Sequence, residues 1–151
     1  MKILISISLV AILFSCSGVL NIESKNIKTE KQRIKVLKKY YKIRLDVIDV
    51  VFKIYNVNGK PSISIPGPTD YDYEVGMQII SKDINILITD KKIYKENIDL
   101  NWIYKLNNDN QKWKLESKPK VYINTNKQEK LNDYIVYYET EGIIFRKLKN
   151  G

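Results

Sequence analysis

The chain has 151 residues and a formal net charge of +9, with 44% apolar residues and no histidine. That length suits one domain around one core, and the apolar fraction argues against wholesale disorder. The missing histidine removes the usual general base, zinc ligand and switch near neutral pH, and the single cysteine, Cys16, rules out an internal disulfide.

At the N-terminus, Lys2 is followed by a charge-free run, Ile3 to Phe14, and then by Ser15 and Cys16. A basic start, a short apolar middle and a small residue before the cut are the three parts of an export signal. The run is too short for a membrane-spanning helix, which takes about 20 residues. A core strand ending in a buried cysteine and a plain signal cut elsewhere are the competing readings. Leu13-Phe14-Ser15-Cys16 resembles the lipobox of bacterial lipoproteins, an aliphatic residue and two small ones before a cysteine. Phe14 departs from that pattern in the manner of the looser boxes of spirochaetal lipoproteins. The resemblance covers only the signal region. It implies cleavage before Cys16, a diacylglycerol on the sulfur and an acylated new N-terminus. The location expected is export and lipid anchoring to the bacterial outer membrane with the domain at the surface, although Cys16 by itself does not reveal which side of the envelope the domain faces. On this reading residues 1–15 are a signal peptide, 16–26 a lipidated cysteine with a polar tether, and 27–151 a single α+β domain.

Residues 27 to about 50 read as a helix without Gly or Pro. Ile34, Leu37, Tyr41, Leu45, Ile48 and Phe52 recur at helical spacing on one face. Lys31, Lys35, Lys38, Lys39 and Lys42 form a second stripe, continued by Asp46 and Asp49, with Lys42 and Asp46 spaced to pair. Between Lys28 and Arg44 eight basic residues face a single acidic one, Glu30; from Leu45 onward 16 basic and 15 acidic residues nearly cancel. The excess charge is therefore concentrated in one segment. The stripe has three readings: a solvated face, contact with anionic lipid head groups, or contact with an anionic polysaccharide or host protein. Export argues against a nucleic-acid partner. Lysine offers point charge without the planar fork of arginine, so loose and salt-sensitive binding is expected.

From about Val50 the period changes to two. Asn58-Gly59 supplies a hairpin turn, Ser62 to Ile65 returns, and Pro66-Gly67-Pro68 ends the hairpin as a stiff loop. The remainder reads as antiparallel strands over about 72–80, 84–89, 100–106, 111–116, 120–124, 133–139 and 142–148. One hairpin is expected from Trp102 to Glu116, with Asn107 to Asn110 as its loop. That register sets Tyr104 opposite Trp113 and Lys105 opposite Lys112. Glu141-Gly142 turns the last hairpin. The Trp and Tyr residues are read as core rather than as a binding face.

Asp70, Asp72 and Glu74 alternate with Tyr71 and Tyr73, so in a strand the carboxylates share one face. Such a cluster can bind Ca²⁺ or act as an acid–base pair; the plainer reading is a solvated face with tyrosines packed inward. Nothing nominates a further positioned group, so no catalytic residue, metal ligand or cofactor is expected. The fold expected is α+β: an amphipathic N-terminal helix packed on an antiparallel sheet of about six to eight strands, curled into a partial barrel or a sandwich. The function expected is a non-enzymatic binding module, an adhesin or host-interaction protein, using Lys31, Lys35, Lys38, Lys39 and Lys42. The alternatives are a periplasm-facing accessory lipoprotein of an envelope complex, and a small lipid-binding protein or hydrolase using Asp70, Asp72 or a barrel cavity.

Overall fold

The run expected to finish the N-terminal helix is instead the longest strand of the sheet. A computed structural model describes residues 21–56, 71–80, 84–95, 97–124 and 133–149. The chain begins with strand β1 (Asn21–Glu23), a 3-10 turn (Ser24–Asn26) and helix α1 (Glu30–Tyr40). Strands β2 (Val47–Asn56) and β3 (Tyr71–Ile79) follow, then a single helical turn, α2 (Asn85–Ile88), and strand β4 (Lys91–Ile93). Helix α3 (Asn101–Asn110) precedes strands β5 (Lys120–Asn124), β6 (Asp133–Tyr138) and β7 (Ile143–Leu148). All seven strands pair antiparallel in one sheet of order β1-β2-β3-β7-β6-β5-β4. The fold is α+β, and the sheet is not closed; among the described residues β1 and β4 are its outer strands.

Two cores lie on opposite faces of this sheet. On one, Val50, Phe52, Ile54, Tyr73, Val75, Ile135 and Ile144 pack with Leu37 of α1. On the other, Val51, Tyr134, Val136, Tyr138 and Phe145 pack with Ile103 and Leu106 of α3. Each large apolar side chain fully buried this way contributes about 1.5–3 kcal/mol.

This two-sided burial explains where the helix was misplaced. A strand covered on both faces reads as a continuous apolar run rather than an alternation. Val50, Val51, Phe52 and Ile54 are all fully buried, and the same residues also satisfy a helical arc. The β-branched run settles the matter in favour of strand. Asp49 therefore leaves the lysine stripe and becomes buried, and Ile48, at an irregularity in the β2–β3 register, is half exposed. Thr29 starts α1 by accepting a hydrogen bond from the Gln32 N–H at 3.3 Å.

Residues 21–26, expected within a tether, belong to the fold. Where β1 ends, the Ser24 hydroxyl accepts from the Phe52 N–H at 2.7 Å and donates to Asn110 Oδ1 of α3 at 2.8 Å. One small side chain thus satisfies a β2 donor left without a strand partner where β1 ends, and pins both β2 and α3.

The expected hairpin from Trp102 to Glu116 is also corrected: Asn101–Asn110 is helical, and residues 111–116 form no strand. Ile103, Leu106, Asn107 and Asn110 recur at helical spacing and turn inward. Asn107 and Asn110, read as loop residues, act as side-chain clamps. Asn107 donates to the Trp113 carbonyl at 2.6 Å and accepts from the Trp113 N–H at 2.9 Å. Lys105 and Lys112 are not cross-strand neighbours, since Lys112 pairs with Asp49 at 3.0 Å. The expected strand over 84–89 is the α2 turn, and β4 just after it was not foreseen. Strands near 72–80, 120–124, 133–139 and 142–148 match β3, β5, β6 and β7 within a residue or so. Gly142 turns the last hairpin at φ +66°, and Tyr71 and Tyr73 pack inward as expected. The Asn58-Gly59 hairpin and the Pro66-Gly67-Pro68 loop lie outside the described residues.

Gln111 closes α3 in the left-handed region, at φ 50° and ψ 50°, where a side chain is strained. Gln111→Gly is expected to stabilise the protein by about 0.5–1 kcal/mol in urea denaturation. A loss of stability would contradict this reading of the cap.

Candidate functional site

Two surface features stand out, one on each face of the sheet. The first is the exposed side of α1. Lys31, Lys35, Lys38 and Lys39 are exposed and form no ion pair with another described residue. Lys42 is likewise exposed but lies beyond the helix, which ends at Tyr40; the expected Lys42–Asp46 helical pair is thereby lost. Lys38 and Lys39 occupy the last turn, where they also complement the helix dipole.

Arg33 belongs to the same basic run but has a different fate. It is 4% exposed and forms a bidentate pair with Asp49, Nη2 lying 2.7 and 2.8 Å from the two carboxylate oxygens. Its remaining donors reach the Val50 and Ile27 carbonyls at 3.2 and 3.1 Å. One arginine of the charged segment is thus internal structure, while the lysines remain on the surface.

The direction of α1 follows from its contacts. Arg33 near its start meets Asp49, while Tyr40 at its end packs edge-to-face on Tyr71 and accepts at its carbonyl from the Tyr73 hydroxyl at 3.1 Å. Tyr71 pairs with Asn56, and Asn21 pairs with Tyr55. The C-terminal lysines of α1 therefore lie at the end of the sheet where the described chain begins.

The second feature is a cleft at that same end, on the opposite face. Asn21 of β1, Lys53 and Tyr55 of β2 and Glu74 of β3 form its floor. Trp102, Lys105, Leu106 and Asp109 of α3 form its wall, enclosing about 430 Å³. The helix is fixed over it at both ends. Asp99 accepts from the Asn101 N–H at 2.9 Å, and Asn110 holds Ser24. Glu74 pairs with Lys147 at 2.6 Å, and the Lys147 ammonium sits 5.2 Å from the Trp102 ring centre. Lys53 lies 3.7 Å from Glu23. Burial, with the carboxylates of Glu74 and then Asp72, pushes the Tyr55 hydroxyl up to about 12, so it stays a neutral donor at physiological pH.

Of the three carboxylates singled out in the sequence, Asp72 and Glu74 share the cleft-side face of β3, and Glu74 is held by Lys147. Asp70 lies outside the described residues, as does Cys16. Sequence reasoning missed the cleft, whose residues come from four elements far apart in the chain. The available signal was the spacing of Trp102, Lys105, Leu106 and Asp109, which fits one helix face.

No protein-family model, no curated protein and no solved structure matches the chain. Among the described residues no helix is long and apolar enough to cross a membrane.

Proposed function

We propose that this protein is an exported lipoprotein, anchored through lipid on Cys16, and a non-enzymatic binding module whose α1 lysines meet an anionic surface. One observation carries the reading. The lysines of the basic segment are exposed and without ion pairs among the described residues, while Arg33, one of its two arginines, is consumed internally and Arg44 is exposed like the lysines. Cations without an ion-pair partner among the described residues are available for an external partner.

The position of α1 supports the same reading. Only residues 17–20 separate Cys16 from Asn21, a reach of about 17 Å when extended. A lipid on Cys16 would hold the C-terminal end of α1 close to a membrane. Each lysine near an anionic leaflet contributes about 1 kcal/mol, and sulfated polysaccharide offers the same point-charge chemistry.

The test is binding of the purified protein to anionic vesicles and, separately, to heparin. The variant carries Lys31→Glu, Lys35→Glu, Lys38→Glu and Lys39→Glu together. All four residues are exposed, so folding should be retained. Binding to one of the two probes is expected to weaken by about 100-fold or more, and wild-type binding to fall steeply with salt. The probe that responds identifies the partner chemistry. Wild-type binding to neither probe, or binding unchanged by the four substitutions, would refute the proposal.

A further inference from the structure

The cleft under α3 plays no part in the reading above, and its chemistry differs from that of the lysine face. Two of its four charged side chains are already engaged, Glu74 by Lys147 and Lys53 by Glu23. The other two, Lys105 and Asp109, lie one turn apart on α3 and have no ion pair with a described residue. These two charges are of opposite sign and one helical turn apart, and Asp109 also faces the Lys25 ammonium, so they largely cancel over a ligand's dimensions. The cleft therefore gives little reward to a net anion or a net cation.

What it does offer is hydrogen bonding of both kinds beside apolar surface. Lysine ammonium groups donate, carboxylates accept, and the Asn21 side chain does both. Trp102, Tyr55 and Leu106 supply apolar area between these groups. A molecule that matches must be uncharged, carry many groups that both donate and accept, and present C–H faces between them. At about 430 Å³ the cleft falls within the roughly 300–1,000 Å³ typical of small-ligand sites. We propose that it binds a neutral saccharide unit of one or two sugar rings, with Lys105 and Asp109 contacting its hydroxyls.

The experiment is saturation-transfer NMR of the purified protein against neutral, carboxylated and sulfated mono- and disaccharides. Affinities of the hits are then measured by Trp fluorescence. Lys105→Ala and Asp109→Ala change exposed residues and leave both cores intact. Each is expected to weaken a neutral saccharide about tenfold, the loss of one hydrogen bond to a charged group. The control variant Lys92→Ala, an exposed residue of β4 outside the cleft, should leave that affinity unchanged. Three results would overturn the assignment: no neutral saccharide bound at millimolar concentration, binding confined to sulfated or carboxylated sugars, or affinity insensitive to both cleft substitutions.

Discussion

Asp49→Ala is expected to cost about 3–5 kcal/mol, a large share of the roughly 5–15 kcal/mol that holds a domain together. Asp49 is 4% exposed, and its carboxylate does three jobs. It accepts the Arg33 fork, the Lys112 ammonium at 3.0 Å and the Val50 N–H at 2.7 Å. Removing it leaves the Arg33 guanidinium buried with carbonyl partners only, and frees the chain just after α3. The loss comes from the uncompensated charge rather than from the worth of the pair. Arg33→Met/Asp49→Leu should therefore recover most of the stability, because it removes both charges together. With Asp49 retained, Arg33→Lys should still destabilise, since an ammonium cannot make the fork. Urea denaturation measures each variant. A cost below about 1 kcal/mol for Asp49→Ala would show that this network does not join α1 to the sheet.

Phe145→Ala should cost a similar amount, about 3–5 kcal/mol. Phe145 is fully buried and receives Trp102, Trp113 and Tyr138 edge-to-face, at centroid distances of 6.1, 5.9 and 6.0 Å. Those three rings come from α3, the segment after it, and β6. Phe145 is thus where the α3 layer meets the centre of the sheet. Its ring also uses the space left by Gly76, where a Cβ would lie 2.7 Å from Phe145 Cε1 and 2.8 Å from Val51 Cγ2. Gly76→Ala alone should therefore destabilise by overpacking, about 1–3 kcal/mol. In a Phe145→Ala background it should cost less, so the two changes are not additive. Full additivity would contradict this packing.

The parts of the fold legible in the sequence are those where one rule applied at a time. In β6 every residue from Tyr134 to Tyr138 is buried against one core or the other, as in β2, yet the run is short, aromatic and β-branched, and Gly142 marks the turn, so strand and hairpin were both readable. In β2 the apolar residues face two cores, which erases the alternation and imitates a helix. In α3, Asn107 and Asn110 carry turn chemistry, yet their side chains are spent on Trp113, Leu106 and Ser24. Local propensity could not show those distant partners. The lysine face was legible because exposure follows from charge and period alone. The cleft was not, because Asn21, Lys53, Glu74 and Trp102 are brought together only by the pairing of β1, β2 and β3 beneath α3.

The proposed anchor would set the geometry of everything proposed for the surface. A lipid on Cys16 would place both the α1 lysines and the mouth of the cleft near the membrane end of the domain. The most direct test is incorporation of labelled fatty acid in cells expressing the wild type or Cys16→Ala. The account requires label on the wild-type protein and none on the variant, whose chain should also keep its uncleaved length. Equal labelling of the two, or no label on the wild type, would contradict it.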